Sequence, residues 1–213
     1  MLREVISNEW FTVLLIFCLG LLALARFAYS KRFIDFVSVL GNSKYLKIYS
    51  REQKFIDQFD ALLFLNLIIS VAIFSYIAYT TFVETIEFNM ILFIKIVLGF
   101  GALILIKVLA ERLIGSLFEI DELIDQYIFQ KTNYKNYIGL ILLPVNVILI
   151  YGISPTKSII YAVIGLLLLV NLSGFFTTFK TNQKLLLDNM FYFILYLCAL
   201  EIGPYIILYK VFN

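Results

Sequence analysis

The amino-acid sequence predicts an all-α integral membrane protein with six transmembrane helices in one bundle. Apolar residues make up 62% of the 213 positions and charged residues only 15%, whereas soluble domains are about half apolar and about a quarter charged. A bilayer core about 30 Å thick requires about 20 apolar residues per helix, so six spans would use more than half of the chain. We therefore treat residues 1–213 as a single polytopic membrane domain.

Six apolar stretches supply the predicted spans. They are long and continuous, which favours helices over the short alternating strands of a membrane β-barrel. The stretches cover residues 9–28, 59–80, 88–110, 136–153, 157–179 and 189–212.

The distribution of Lys and Arg predicts the orientation. The predicted loops after spans 1, 3 and 5 share one side and contain Lys31, Arg32, Lys44, Lys47, Arg51, Lys54, Arg112, Lys131, Lys135, Lys180 and Lys184. The other side carries only Arg3, Lys157 and Lys210. Because cytoplasmic loops are enriched in Lys and Arg, both termini are predicted to lie outside a bacterial cytoplasmic (inner) membrane.

The first predicted cytoplasmic loop contains an amphipathic segment. Its apolar residues Phe33, Phe36, Val37 and Leu40 recur at helical spacing, opposite Lys31, Arg32, Asp35 and Ser38. Such a segment is suited to the headgroup layer of a membrane. It predicts binding to anionic lipid or to an acidic protein, with simple interfacial anchoring as the alternative.

The apolar stripe of span 3 continues beyond the predicted membrane boundary. No proline interrupts it, so the helix is predicted to run to about residue 127 and either to protrude from the membrane or to bend at Gly115. The polar face of this extension carries an acidic group formed by Glu119, Asp121, Glu122 and Asp125. We expect either a cation or docking site there, or a solvated face that pairs with the basic first loop.

Two charged residues lie well inside predicted spans, away from the span ends. Lys95 is in span 3 and Glu201 is near the centre of span 6. Because a charge inside a bilayer costs several kcal/mol, such residues usually face the bundle interior and have a partner. Helical rise places the two side chains at depths from which they can meet. We predict a Lys95–Glu201 pair, with snorkelling of Lys95 to the interface as the alternative.

Further polar residues lie at membrane depth. The candidate lining residues are Asn66, Ser70, Asn146, Asn171 and Tyr196, and the predicted helix breaks are at Pro144, Gly203 and Pro204. Together they would line a polar path through the membrane. Alternatively, the asparagine and serine side chains hold neighbouring helices together.

The residue inventory argues against several functions. Histidine is absent, which removes the commonest general base and metal ligand, and no phosphate-binding, nucleophile-elbow or paired-cysteine motif is present. Cys18 and Cys198 each lie in an apolar run, where a thiol behaves as a small hydrophobe. We expect no cofactor, no metal site and no nucleic-acid partner.

The sixth span carries a resemblance. The stretch from Asp188 to Tyr192 and the stretch from Ile194 to Pro204 resemble the C-terminal signature of an uncharacterised family of Bacteroidota inner-membrane proteins, a domain of unknown function. The resemblance implies a bacterial inner membrane and multiple spans, and it singles out Tyr196, Glu201 and Pro204. It implies no activity.

Three functions are compatible with these observations. The first is a non-enzymatic subunit or assembly partner of a cell-envelope complex, which binds membrane lipid and other membrane or envelope proteins. The second is a secondary transporter or ion-conducting protein that uses Glu201 and Lys95. The third is a lipid-handling membrane enzyme or flippase in which Lys95 binds an anionic headgroup. The small loops and the lack of catalytic groups favour the first.

Overall fold

The structure is a computed structural model that describes residues 9–39, 44–49, 57–83, 88–118 and 120–181. Every regular element among these residues is helical. The helices are α1 (Glu9–Ala28), α2 (Ser30–Val37), α3 (Lys44–Tyr49), α4 (Gln58–Val83), α5 (Met90–Leu117), α6 (Asp121–Val147) and α7 (Lys157–Thr181), and a π-helix at Ile148–Gly152 extends α6. The predicted fold class is therefore confirmed as all-α over this part of the chain.

Five of these elements are long and apolar enough to cross a membrane: α1, α4, α5, the segment Ile124–Gly152 and the segment Lys157–Thr177 of α7. They correspond to the first five predicted spans. The sixth, residues 189–212, lies outside the described residues, so the count of six and the outside location of both termini stay predictions.

The five long helices alternate in direction along the chain. As a result, α1 and α5 end at the same end of the bundle at which α4 and α6 begin. We call this the basic end, because the sequence places most cations there. α4 occupies the centre of the bundle and contacts α1, α5, α6 and α7, with its most extensive contact against α6. In a membrane, such contacts are stabilised by close packing and interhelical hydrogen bonds rather than by the hydrophobic effect.

Two apolar clusters fill the bundle. The cluster nearer the opposite end includes Phe11, Tyr76 and Phe93 with residues of α6 and α7. The backbone N–H of Asn89, which precedes α5, donates to the Tyr76 hydroxyl of this cluster at 2.8 Å. The Asn89 side chain accepts hydrogen bonds from the backbone N–H groups of Ile91 and Leu92 at 3.0 and 3.1 Å. Asn89 thereby satisfies two N–H donors that a helix start leaves unpaired.

The second cluster closes the basic end. It joins α1, α2, α3, α4 and α6, and its buried residues are Ala25, Phe36, Val39, Tyr45, Leu46, Phe59, Leu63, Phe129 and Tyr134. The described residues between α1 and α4, which are α2 with Val39 and α3, thus form a packed cap over the helix ends.

The sequence-based division of α2 into two faces is wrong for two residues. Phe36 is buried as expected, but Arg32, assigned to the polar face, also faces the bundle, and Val37, assigned to the apolar face, is exposed. The physical reason is that two aspartates of the neighbouring segment neutralise the guanidinium of Arg32. Leu40 lies outside the described residues.

The predicted extension of span 3 is partly wrong. α5 does continue beyond residue 110, but it ends at Leu117 rather than near residue 127. The chain then turns back, and the N–H of Ile120 donates to the carbonyl of Gly115 at 3.0 Å. Gly115 allows this turn because a Cβ atom there would lie 3.0 Å from Cβ of Ile124 on the returning helix.

The fourth predicted span also begins too late. The sequence-based start was residue 136, whereas α6 begins at Asp121. Asp121 and Asp125 therefore lie in the first turns of α6 and not on an extension of span 3.

Candidate functional site

The contact between α4 and α6 is the closest helix approach at the candidate site. A Cβ atom added to Gly139 of α6 would lie 2.6 Å from Cα of Leu67 on α4. Only glycine fits there, since the obstructing atom belongs to the backbone and has no rotamer that removes it. Small residues of this kind let membrane helices pack backbone to backbone.

Three of the predicted lining residues lie in or beside this contact. Asn66 and Ser70 are one turn apart on α4, and Asn146 is on α6; all three are buried to 1% exposure or less. The side-chain amide of Asn146 donates to the backbone carbonyl of Ser70 at 2.8 Å. The structure thus brings Ser70 and Asn146 into direct contact and places Asn66 on the same helix stripe.

A fourth asparagine extends this set. Asn136 is fully buried and lies one turn before Gly139 on the same face of α6. Since α4 and α6 run parallel and Gly139 meets Leu67, Asn136 and Asn66 lie at similar depth. We call Asn66, Ser70, Asn136 and Asn146 the buried polar set.

Much of the hydrogen-bonding capacity of the buried polar set is unused within the described part of the chain. Neither amide atom of Asn66 or Asn136 has a hydrogen-bond partner there, nor does Oδ1 of Asn146. Each unpaired buried polar group costs about 1–3 kcal/mol. The atoms are also too enclosed for a water molecule to touch them in this conformation. The contact is therefore dry, and hydrating it requires α4 and α6 to move apart.

An ion pair joins α5 and α6 near the basic end. Lys131 Nζ donates to Oε1 of Glu111 at 2.6 Å, and the Glu111 side chain is 1% exposed. Lys131 also lies over the ring of Tyr127, with its Nζ 5.4 Å from the ring centroid. Removing the cation would leave a carboxylate buried without its partner, which is costly.

A second pair lies next to the first. The Arg112 guanidinium contacts the carboxylate of Asp125 through two hydrogen bonds of 2.8 and 3.1 Å. One of the two expectations for the acidic group was pairing with the basic first loop, whereas Asp125 pairs with Arg112 of α5. Asp121 is exposed. The side chains of Glu119 and Glu122 lie outside the described residues.

Arg32 is the centre of the cap at the basic end. Its guanidinium pairs with Asp57 and, at 3.0 Å, with Asp60. Its Cζ lies 4.7 Å from the ring centroid of Phe59 and 5.3 Å from that of Tyr49. These contacts with two carboxylates and two aromatic rings hold α2 in one rotational orientation about its own axis.

The environment of the cap changes two pKa values. Burial alone would lower the pKa of Arg32, but contacts with Tyr45, Asp60 and Asp57 outweigh it and raise that pKa. Burial and the charge of Asp60 raise the pKa of Tyr45 well above its usual value, against the opposing effect of Arg32. Arg32 stays charged and Tyr45 stays neutral over the physiological range. The Tyr45 hydroxyl donates to Oδ1 of Asn133 at 3.3 Å, which links the cap to α6.

The remaining candidate residues are dispersed. Lys95 of α5 and Asn171 of α7 are exposed, and so is Pro144, which lies inside α6 four residues before the π-helix. Because proline cannot donate a backbone hydrogen bond, it loosens the regular helix pattern around it. The predicted partner of Lys95, Glu201, lies outside the described residues with Tyr196, Gly203 and Pro204. The Lys95–Glu201 pair stays a prediction.

Sequence reasoning missed Glu111 and Asn136 as buried polar residues and Lys131 as the partner of Glu111. The predicted extension of span 3 placed Glu111 in a helix beyond the membrane boundary, and the predicted start of span 4 at residue 136 placed Lys131 before that span. The apolar stripe that continues past residue 110 located Glu111 on the helix but did not identify its partner. Asn136 was at the predicted start of a span, where an amide side chain can contact water and therefore does not indicate a buried polar site.

The chemistry of these residues suits binding and packing. Within residues 9–181, apart from the gaps in description, no group of three or more Cys, Asp or Glu residues is arranged to hold a metal ion. Cys18 is a buried free thiol. Neutral amides in a dry helix contact, with ion pairs at one end, are typical of residues that hold membrane helices in register.

These features define the class: a multi-pass helical membrane protein with a polar central helix contact and a charged, aromatic cap at one end. The chain belongs to the family described as Domain of unknown function (DUF4271), whose family profile matches residues 11–212. This match confirms the resemblance to an uncharacterised family. No curated protein matches the chain, and no solved structure matches it either.

Proposed function

We propose that this protein is a non-enzymatic membrane subunit, or assembly partner, of a cell-envelope complex in the bacterial inner membrane. The observation that carries the proposal is the position of Asn171. It lies 14 residues after Lys157, the first residue of α7, or about 21 Å along the helix, and its side chain is exposed. A membrane-spanning α7 would present that amide to the hydrocarbon core.

An exposed amide at this depth favours a protein neighbour. Without a hydrogen-bond partner, its transfer into hydrocarbon is unfavourable, and asparagine commonly pairs across membrane helices. Around Asn171 the surface is apolar, since Leu168 and Leu172 are also exposed. A partner helix with a hydrogen-bonding side chain, surrounded by apolar residues, would match this surface.

The dry contact between α4 and α6 supports the same proposal. Secondary transporters bind their substrates near the bilayer midplane between helices that can separate. In this bundle the polar residues at that depth are enclosed by a backbone contact at Gly139. Such a contact stabilises one arrangement of the helices, as a scaffold requires.

Site-specific photo-crosslinking in the intact membrane tests the proposal. A photoreactive residue at position 171 should give a discrete adduct with another membrane protein. The matched control is position 176, because Phe176 is also exposed but points about 140° away around α7. An adduct only with residues of the same chain, or equal capture at both positions, would contradict a specific partner at Asn171.

A second candidate function is transport, with the buried polar set as its basis. The unused hydrogen-bonding capacity of Asn66 and Asn136 favours a second arrangement in which α4 and α6 separate and these amides are solvated. Cation or proton flux through liposomes containing only this protein, reduced by Asn66→Leu, would support transport. Absence of flux in folded, reconstituted protein would count against it.

A further inference from the structure

The corner between α1 and α2 has a surface of its own that the proposed function does not use. α1 ends at Ala28 and α2 begins at Ser30, so a single residue separates a membrane-crossing helix from a short amphipathic one. A connection of one residue is too short for α2 to lie away from the membrane. α2 must therefore lie at the membrane surface if α1 crosses the bilayer.

The orientation of α2 on that surface is fixed by its inner face. Arg32 is held by Asp57 and Asp60, and Phe36 is fully buried in the cap. These contacts prevent α2 from rotating about its axis. The residues on its other side face outward.

The outward surface combines apolar side chains with cations. Phe27 at the end of α1 is 91% exposed, Ile34 is 59% exposed, and Val37 on the same face is also exposed. Arg26 and Lys31 are exposed beside them and form no ion pair with any described residue. In water this much apolar surface is unfavourable, but in the headgroup layer the apolar side chains reach the acyl chains.

We propose that this corner, formed by Arg26, Phe27, Lys31, Ile34 and Val37, binds the headgroup of an anionic phospholipid. The aromatic and aliphatic side chains would insert at the acyl boundary, while the two cations contact the phosphate. An anionic lipid is favoured over an acidic protein because the surface adjoins the end of a membrane span and most of its area is apolar. Arg32 contributes no charge to binding, because Asp57 and Asp60 neutralise it.

The chain offers a direct fluorescence test, since Trp10 is its only tryptophan. Trp10→Phe combined with Ile34→Trp gives a full-length protein with one reporter at the corner. It is reconstituted in vesicles that contain phosphatidylglycerol and phosphatidylcholine, with bromine quencher on the acyl chains of one lipid or the other. Brominated phosphatidylglycerol should quench more strongly than brominated phosphatidylcholine at equal mole fraction.

Charge variants measure the contribution of the cations. A Lys or Arg near an anionic surface contributes about 1 kcal/mol, or about fivefold in affinity. Arg26→Gln with Lys31→Gln should therefore reduce the preference for phosphatidylglycerol about twenty-fivefold, or abolish it. Lys157→Gln, which removes an exposed cation at the opposite end, should leave the preference unchanged. A second reporter, Phe27→Trp, replaces Ile34→Trp if the latter does not fold.

Two outcomes would overturn the proposal. Equal quenching by both brominated lipids would show that the corner contacts the bilayer without selecting anionic headgroups. Quenching by neither would show that the corner is not in contact with lipid. Both results are independent of a protein partner at Asn171, because that partner would bind a different helix.

Discussion

The close approach of α4 and α6 makes the effect of a single methyl group calculable. In Gly139→Ala the new Cβ would lie 2.6 Å from Cα of Leu67 and 3.0 Å from its Cβ. Favourable contacts between carbon atoms are about 3.5–4.0 Å, so the helices would have to separate by about 1 Å. Overpacking of this kind costs about 1–3 kcal/mol.

Part of that cost is offset by the greater helix propensity of alanine. Gly to Ala inside a helix stabilises by about 0.5–1 kcal/mol, so Gly139→Ala should lower the free energy of unfolding by about 1 kcal/mol, the difference between the middle values of the two ranges. Gly99→Ala is the matched control, because nothing lies within 4 Å of the position its Cβ would occupy. It should be neutral or slightly stabilising.

Equilibrium unfolding of both variants in mild detergent measures the difference. The expected order of stability is Gly99→Ala at or above the parent protein, with Gly139→Ala clearly below it. If Gly139→Ala is as stable as the parent protein, α4 and α6 do not pack backbone to backbone. The conclusion that water is excluded from the buried polar set would then be wrong.

Three other predictions concern the polar groups. Lys131→Met should destabilise the folded protein by up to about 3 kcal/mol because it leaves Glu111 buried without its cation. Adding Glu111→Gln should recover folded yield in a double-mutant comparison, and no recovery would exclude the ion pair as the cause. Asn146→Leu should cost about 0.5–1.5 kcal/mol by losing its bond to Ser70, measured by detergent unfolding; an unchanged midpoint would contradict that bond. Because the pKa of folded Tyr45 is raised, its contribution to stability is present below about pH 10 and is lost as the pH rises through the folded pKa. Tyr45→Phe should therefore flatten the fall of the thermal midpoint above about pH 10, and parallel curves would refute this.

Transmembrane spans were largely predictable because the bilayer imposes a length. The first predicted span, residues 9–28, has the same bounds as α1, and α4 begins one residue before its predicted start and ends three residues after its predicted end. Backbone groups in hydrocarbon must pair within the segment, so apolar length alone decides where such a helix lies.

The first half of α6 was not predictable in this way. Its sequence contains Lys131, Asn133, Lys135 and Asn136. The low mean hydropathy of this segment predicts a loop. The helix continues through them, and two of these polar side chains have specific partners: Lys131 pairs with Glu111, and Asn133 accepts from Tyr45 and donates to the carbonyl of Phe129. Such pairings depend on helices that are distant in sequence.

The candidate site was predictable in composition but not in arrangement. Residue type and depth identified Asn66, Ser70 and Asn146, which the structure places on two neighbouring helices. The same reasoning gave equal weight to Asn171, which is exposed on α7. Composition cannot tell which face of an apolar helix meets a neighbour when apolar residues surround it on all sides.

The difference between these asparagines connects the fold to the proposed function. On α4 and α6 the amides are enclosed by helices of the same chain, and the hydrogen bond from Asn146 to Ser70 joins those two helices. The amide of Asn171 has the same chemistry at comparable depth, but the described helices leave it uncovered. In hydrocarbon an amide without a hydrogen-bond partner is costly, and Asn146 finds its partner inside the bundle, in the backbone carbonyl of Ser70. No described helix covers Asn171, so the proposed function predicts a partner at the exposed face of α7, with a hydrogen-bonding side chain at the middle of its own span.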